Sequence, residues 1–168
     1  MKQLLSRAML ALALAAGIAH AQQKGPLEST LEQRKVAQGA DGRESLVPAT
    51  SVRPGDVIEY VATYRNTGRA PITGVEATVP VPANTEYMPG SATPRDAKAS
   101  LDGRTYSAMP LKRQVVRDGK TIEEAVPARE YRYLRWSVPQ LAGEKSLQFT
   151  ARVRVLDDAA PPGKAGAR

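Results

Sequence analysis

Few residues in this 168-residue chain can do chemistry, and what is missing limits them further. Cysteine is absent, and the one histidine, His20, lies in an apolar N-terminal run. Thiol nucleophiles, disulfides, Ser-His relays and the usual zinc, copper and haem ligand sets are therefore closed to the rest of the chain. Carboxylate chemistry, Ser-Lys chemistry and oxygen-ligated Ca²⁺ or Mg²⁺ remain.

Each of these has a plainer competitor. Glu123-Glu124 and Asp157-Asp158 are adjacent carboxylates. A glycosidase pair must face one cleft, whereas neighbours on a strand point to opposite faces, so neither doublet suffices alone. Ser107 and Lys112 lack the S-x-x-K spacing and the strained nucleophile turn. Asp56 and Asn66 sit at conspicuous turns and suggest Ca²⁺, but Asp and Asn side chains serve such turns by bonding their own backbone. No dense acidic loop of the EF-hand kind is present. These residues predict no catalytic site, no metal and no cofactor.

The best binding candidate is basic and aromatic: Tyr131, Tyr133 and Arg135, with Arg152 and Arg154. Arg152 and Arg154 share one face of a strand. If Tyr133 and Arg135 join that face from an adjacent strand, the patch suits phosphates or acidic glycans. The competing reading, an ordinary polar sheet face of long side chains that deter edge pairing, weighs more. Trp136, between Leu134 and Val138, reads as core.

Charge and address bear on the partner. The chain has 24 Lys+Arg against 17 Asp+Glu, a net of +7. Lys2 and Arg7 precede an apolar run over residues 8–19, too short to span a bilayer, and Ala19-His20-Ala21 fits a signal-peptidase site. Residues 1–21 thus read as a cleaved signal peptide, which places the protein in the periplasm or at the cell surface. Removing Lys2 and Arg7 leaves 22 against 17, a net of +5. That balance is ordinary for a small domain and is compatible with anionic envelope material. Nucleic acid is not expected at this address, and no second apolar run suggests a membrane span.

The elements that would position these groups are strands. Residues 22–28 read as a flexible polar leader within a 22–45 segment, where residues 31–38 fit a short helix or a first strand. Pro54-Gly55-Asp56 is a tight turn. After it, Ile58, Tyr60, Ala62 and Tyr64 alternate as an inward stripe, ending at Asn66-Thr67-Gly68. Val75, Ala77, Val79 and Val81 form a second stripe, expected to pair with the first through a short loop. Pro80 and Pro82 mark an edge or a crossover. Asp102-Gly103 and Asp118-Gly119 both read as hairpin turns, with residues 105–109 and 113–116 as short flanking strands and residues 111–130 a protruding hairpin. Leu134, Trp136 and Val138, then Leu147, Phe149, Ala151, Val153 and Val155, close the pattern. Residues 157–168 read as a disordered tail. Turns marked by 13 Gly and 13 Pro and the absence of any long amphipathic helix predict an all-β antiparallel sandwich of about seven strands over residues 46–156.

Several ordered motifs resemble the domain of unknown function 11 family, an immunoglobulin-like repeat of exported prokaryotic proteins. They are Pro54-Gly55-Asp56, Tyr60, Asn66-Thr67-Gly68, the run from Val81 to Tyr87 with Gly90-Ser91, Trp136, Leu141-Ala142-Gly143-Glu144 and the final strand. Pro80 replaces the usual acidic residue, the stretch between Ser91 and Arg135 is longer, and there is one copy. The resemblance implies an immunoglobulin-like fold and an envelope location, and it brings no catalytic residues. The function expected is a non-enzymatic interaction module that holds a protein partner by a sheet edge, loops or the basic face. The alternative is binding of acidic envelope glycans through the Arg/Tyr face.

Overall fold

The structure is a computed structural model that describes residues 25–157. The segments expected as signal peptide, first leader residues and tail beyond Asp157 lie outside the described residues. Eleven strands follow in order: β1 (Leu27–Gln38), β2 (Glu44–Pro48), β3 (Val57–Asn66), β4 (Ile72–Pro80), β5 (Thr85–Tyr87), β6 (Lys98–Ser100), β7 (Ser107–Ala108), β8 (Lys112–Arg117), β9 (Lys120–Ala125), β10 (Tyr133–Leu141) and β11 (Ser146–Val155). One 3-10 turn, Ala128–Glu130, precedes β10. No helix of the described residues is long and apolar enough to cross a membrane.

The strands form an antiparallel β-sandwich. One sheet has the order β2-β1-β3-β11-β5 and the other β4-β10-β6-β7, while β8 and β9 form a separate ribbon. Period-2 alternation builds the core between the two sheets. Ile58, Tyr60 and Ala62 of β3 and Phe149, Ala151 and Val153 of β11 face Val75, Ala77 and Val79 of β4 and Leu134, Trp136 and Val138 of β10, all buried. Trp136 is core, as its neighbours imply. Its ring tilts on Phe149 at 5.2 Å, and its indole N–H donates to the Pro94 carbonyl at 2.7 Å.

Three expectations change. First, the two stripes meet across the core rather than in a hairpin, because β3 and β4 belong to different sheets. Asn66 explains the crossing. It is fully buried, and its amide nitrogen donates to the carbonyls of Ala70, Leu141 and Ala142 at 2.7, 3.2 and 3.2 Å. Its amide oxygen accepts the Gly68 N–H at 3.0 Å. So Asn66-Thr67-Gly68 is a corner sewn onto the turn between β10 and β11, and Gly143 of that turn presses against the Arg69 backbone. Two motifs far apart in sequence are one structural unit.

Second, the leader does not stay flexible to Glu28. β1 starts at Leu27 and pairs with β3 across ten residues, Leu27 opposite Asn66 through Val36 opposite Val57. The sandwich therefore begins well before residue 46. The long ladder supplies backbone partners that a polar sequence hides.

Third, only one Asp-Gly pair turns a two-residue hairpin. Asp118 and Gly119 have φ of 51° and 73°, as a tight β8–β9 turn requires. Asp102 instead caps a longer loop between β6 and β7. Its Oδ1 accepts from the N–H groups of Arg104 and Thr105 at 2.8 and 2.9 Å and from the Ser100 hydroxyl at 2.9 Å. Those donors hold its carboxyl down at about 2, the backbone N–H groups of Thr105 and Arg104 contributing most. The strand count among the described residues also exceeds seven, since β5 and β6 are three residues long and leave no periodic trace.

The ribbon of β8 and β9 stands on the sandwich through its base. Leu111 and Val126 are buried there, joined by a bond of 2.8 Å from the Val126 N–H to the Leu111 carbonyl. Further out Val116 is 72% exposed, so the ribbon projects from the core.

Candidate functional site

The five residues of the basic-aromatic face do not come together. Tyr131 is core: it is buried, stacks on Tyr87 at 6.0 Å, and its hydroxyl accepts the Leu111 N–H at 2.8 Å. Tyr133 and Arg135 lie on the outer face of the four-stranded sheet, since Leu134 and Trp136 between and beside them point inward. Arg152 and Arg154 lie on the outer face of the five-stranded sheet, on either side of inward Val153. The expected shared face is thus divided between opposite sides of the sandwich. The sequence shows which residues share a strand face but not which strands share a sheet.

Two of the arginines are also committed within the molecule. Arg152 donates to Glu59 at 2.8 Å and to Glu44 at 2.7 Å, and these carboxylates, Glu59 first, raise its pKa above the usual value. Arg135 pairs with Glu76 at 2.6 Å, and its guanidinium carbon lies 3.7 Å over the Tyr106 ring. The Tyr133 ring covers Gly103. Of the set, Tyr133 and Arg154 are exposed. An anion would have to displace carboxylates already held at close range.

The other chemical candidates resolve into structure. The Asp56 carboxylate accepts Lys35 Nζ at 2.6 Å and the Arg53 N–H at 2.8 Å, which hold its pKa below the usual range, Lys35 contributing most. Among the described residues, no three Asp, Glu or His side chains gather as a metal site. Ser107 and Lys112 both line a depression of about 520 Å³ beside Leu101 and Asp102. Lys112 Nζ is bound to Glu123 at 2.7 Å, so its ammonium is held by a carboxylate rather than desolvated as a base. Glu124 is likewise paired, with Arg113 and Arg117 at 3.8 and 2.8 Å.

What the sequence did not reveal is an open sheet edge. β2 pairs with β1 only from Arg34 to Gln38. Residues 27–33 of β1 therefore bond β3 on one side and have no strand on the other among the described residues. Successive residues of a strand aim their N–H and C=O groups at alternate edges, so about half of those in this stretch face outward. This edge carries neither Pro nor a bulge, and its two charges, Glu28 and Glu32, lie on the outer face of the sheet. The edge of β4 is different. Pro80 has no N–H, Gly74 has φ of 66°, and the Thr78 N–H is taken by the Tyr64 hydroxyl at 3.0 Å.

Side chains reinforce the contrast. Leu27 and Leu31 lie opposite Asn66 and Ala62, on the core-facing side of their sheet. They remain 37% and 43% exposed, because the opposite sheet ends at β4, which packs over β3. Residues 25–30 and Thr67 line a depression of about 540 Å³ at this edge. The one sequence trace of the edge, two leucines four apart, fits a helix face as well as a strand.

Comparison with protein-family models, with curated proteins and with solved structures found no match to this chain.

Proposed function

We propose that this protein is a non-enzymatic, exported interaction module of the cell envelope, an immunoglobulin-like domain akin to the domain of unknown function 11 family. It holds a protein partner by adding a strand of that partner to β1. The observation that carries the reading is the open edge over residues 27–33, with neither proline nor bulge, beside an edge on β4 that is proline-ended, turned at Gly74 and capped at Thr78. Main-chain pairing at such an edge supplies affinity, and alternate side chains supply selectivity. Export rests on the N-terminal pattern of residues 1–21.

A pull-down from the native envelope fraction at low and high salt, with hydrogen exchange read on residues 27–33, tests this. The expected result is a protein partner that survives high salt, slows exchange at residues 27–33 and is lost with Leu31→Lys, an inward-pointing charge of the kind that blocks edges. Capture of glycan only at low salt, with Leu31→Lys neutral and Arg154→Ala disruptive, would overturn it.

A further inference from the structure

The edge of β1 also constrains what can pair with it, and the following rests on the edge-binding reading above. Three occupants are possible in principle: this chain's own terminal segment, a second copy, or a foreign strand. The sequence beyond Asp157 contains Pro161-Pro162-Gly163, then Lys, Ala, Gly, Ala and Arg. It has no β-branched or aromatic residue, and its two prolines lack an N–H, so its composition disfavours a strand.

A second copy meets its own charges. Two-fold antiparallel pairing that uses all of residues 27–33 must centre on Thr30, which sets Glu28 of each copy opposite Glu32 of the other. Both glutamates are exposed on the outer face of the sheet. Like charges directly opposite destabilise a pair, and this happens twice. The arrangement thus works against self-association at neutral pH.

A foreign strand is then specified residue by residue. Directly opposed residues on antiparallel strands point to the same side, so side-chain chemistry transfers across the ladder. On the core-facing side the incoming strand meets Leu27, Ser29, Leu31 and Gln33. On the outer side it meets Glu28, Thr30 and Glu32. Glu32 is bonded to Arg34 at 2.7 Å yet its side chain stays 54% exposed, and Glu28, across the ladder from Arg65, is exposed too, so a further cation reaches both.

We infer that the partner is an extended protein segment with apolar residues at the positions facing Leu27 and Leu31, and Lys or Arg at those facing Glu28 and Glu32. Read along the incoming antiparallel strand, this is a basic residue followed by an apolar one, repeated after a spacing of four. The selected segment is cationic although the whole chain is itself basic, at a net of +7. The local edge, not the global charge, sets the preference.

The probe is the capped heptapeptide Val-Lys-Val-Thr-Val-Lys-Val, with Val-Glu-Val-Thr-Val-Glu-Val as its charge-reversed control. Affinity is read by titration of the purified protein, and the site by hydrogen exchange. The expected result is protection of residues 27–33, about tenfold tighter binding of the basic peptide, as two opposed charge pairs on a sheet face allow, and a preference that shrinks with salt. The variant Glu28→Lys with Glu32→Lys should reverse the preference. Since both sites are exposed, the fold is expected to survive. Glu28→Gln with Glu32→Gln serves as the milder second variant and should abolish the preference. Equal binding of both peptides at residues 27–33 would overturn the charge assignment and leave the edge reading standing. Binding of neither overturns both. Concentration-dependent protection of the same residues without peptide would make a second copy the occupant and overturn the inference.

Discussion

A methyl group added at Gly143 would sit 1.9 Å from the Arg69 carbonyl oxygen. That contact is between two backbones, so no flexible side chain can yield. Gly143→Ala is expected to destabilise the fold by ~2 kcal/mol or more, as overpacking against backbone does, read as a lowered urea midpoint. Asn66→Ala attacks the same corner from the other side, stripping the donor from three carbonyls. About 2–3 kcal/mol is expected from buried groups left unpaired. The two losses should be less than additive, because both open one corner. Asp102 carries a pH signature. Its folded pKa of about 2 lies below the ordinary 3.8, so the stability it contributes is present above about pH 4 and fades as pH falls towards 2. Asp102→Asn should therefore narrow the drop in urea midpoint between pH 5 and pH 2 relative to the parent chain.

At the scale of elements, the ribbon is separable from the sandwich. Leu111 and Val126 already face each other across a backbone hydrogen bond. Replacing residues 112–125 by Asn-Gly closes that pair with a two-residue turn. The melting temperature by circular dichroism is expected to stay within about 5 °C of the parent, the shift that ~1 kcal/mol gives in a domain of this size. A large loss would mean that the ion pairs of β8 and β9 support the core. The ribbon was legible in the sequence because Asp-Gly between alternating residues is a local signal. β5 and β6 were not, because strands this short are defined by what they pair with.

For the whole molecule, β1 decides where the domain begins. A chain starting at residue 46, where the motif pattern starts, would strip β3 of its ten-residue partner and expose a second long edge. Such a chain is expected to lose cooperative thermal unfolding and to aggregate on size-exclusion chromatography. A chain starting at residue 25 should keep a single sharp transition.

Composition and period-2 patterning were enough to determine an all-β sandwich, the inward stripes of β3, β4, β10 and β11, and Trp136 as core. These are properties of a strand taken by itself, since alternation decides its buried face whatever its neighbour. Strand adjacency was decided only in three dimensions. It placed β3 and β4 in different sheets, sent the Tyr133/Arg135 and Arg152/Arg154 pairs to opposite faces, buried Tyr131, and left residues 27–33, paired with β3 on one side, with no strand on the other among the described residues. Which edges meet depends on contacts between residues distant in the chain, and no local pattern records them.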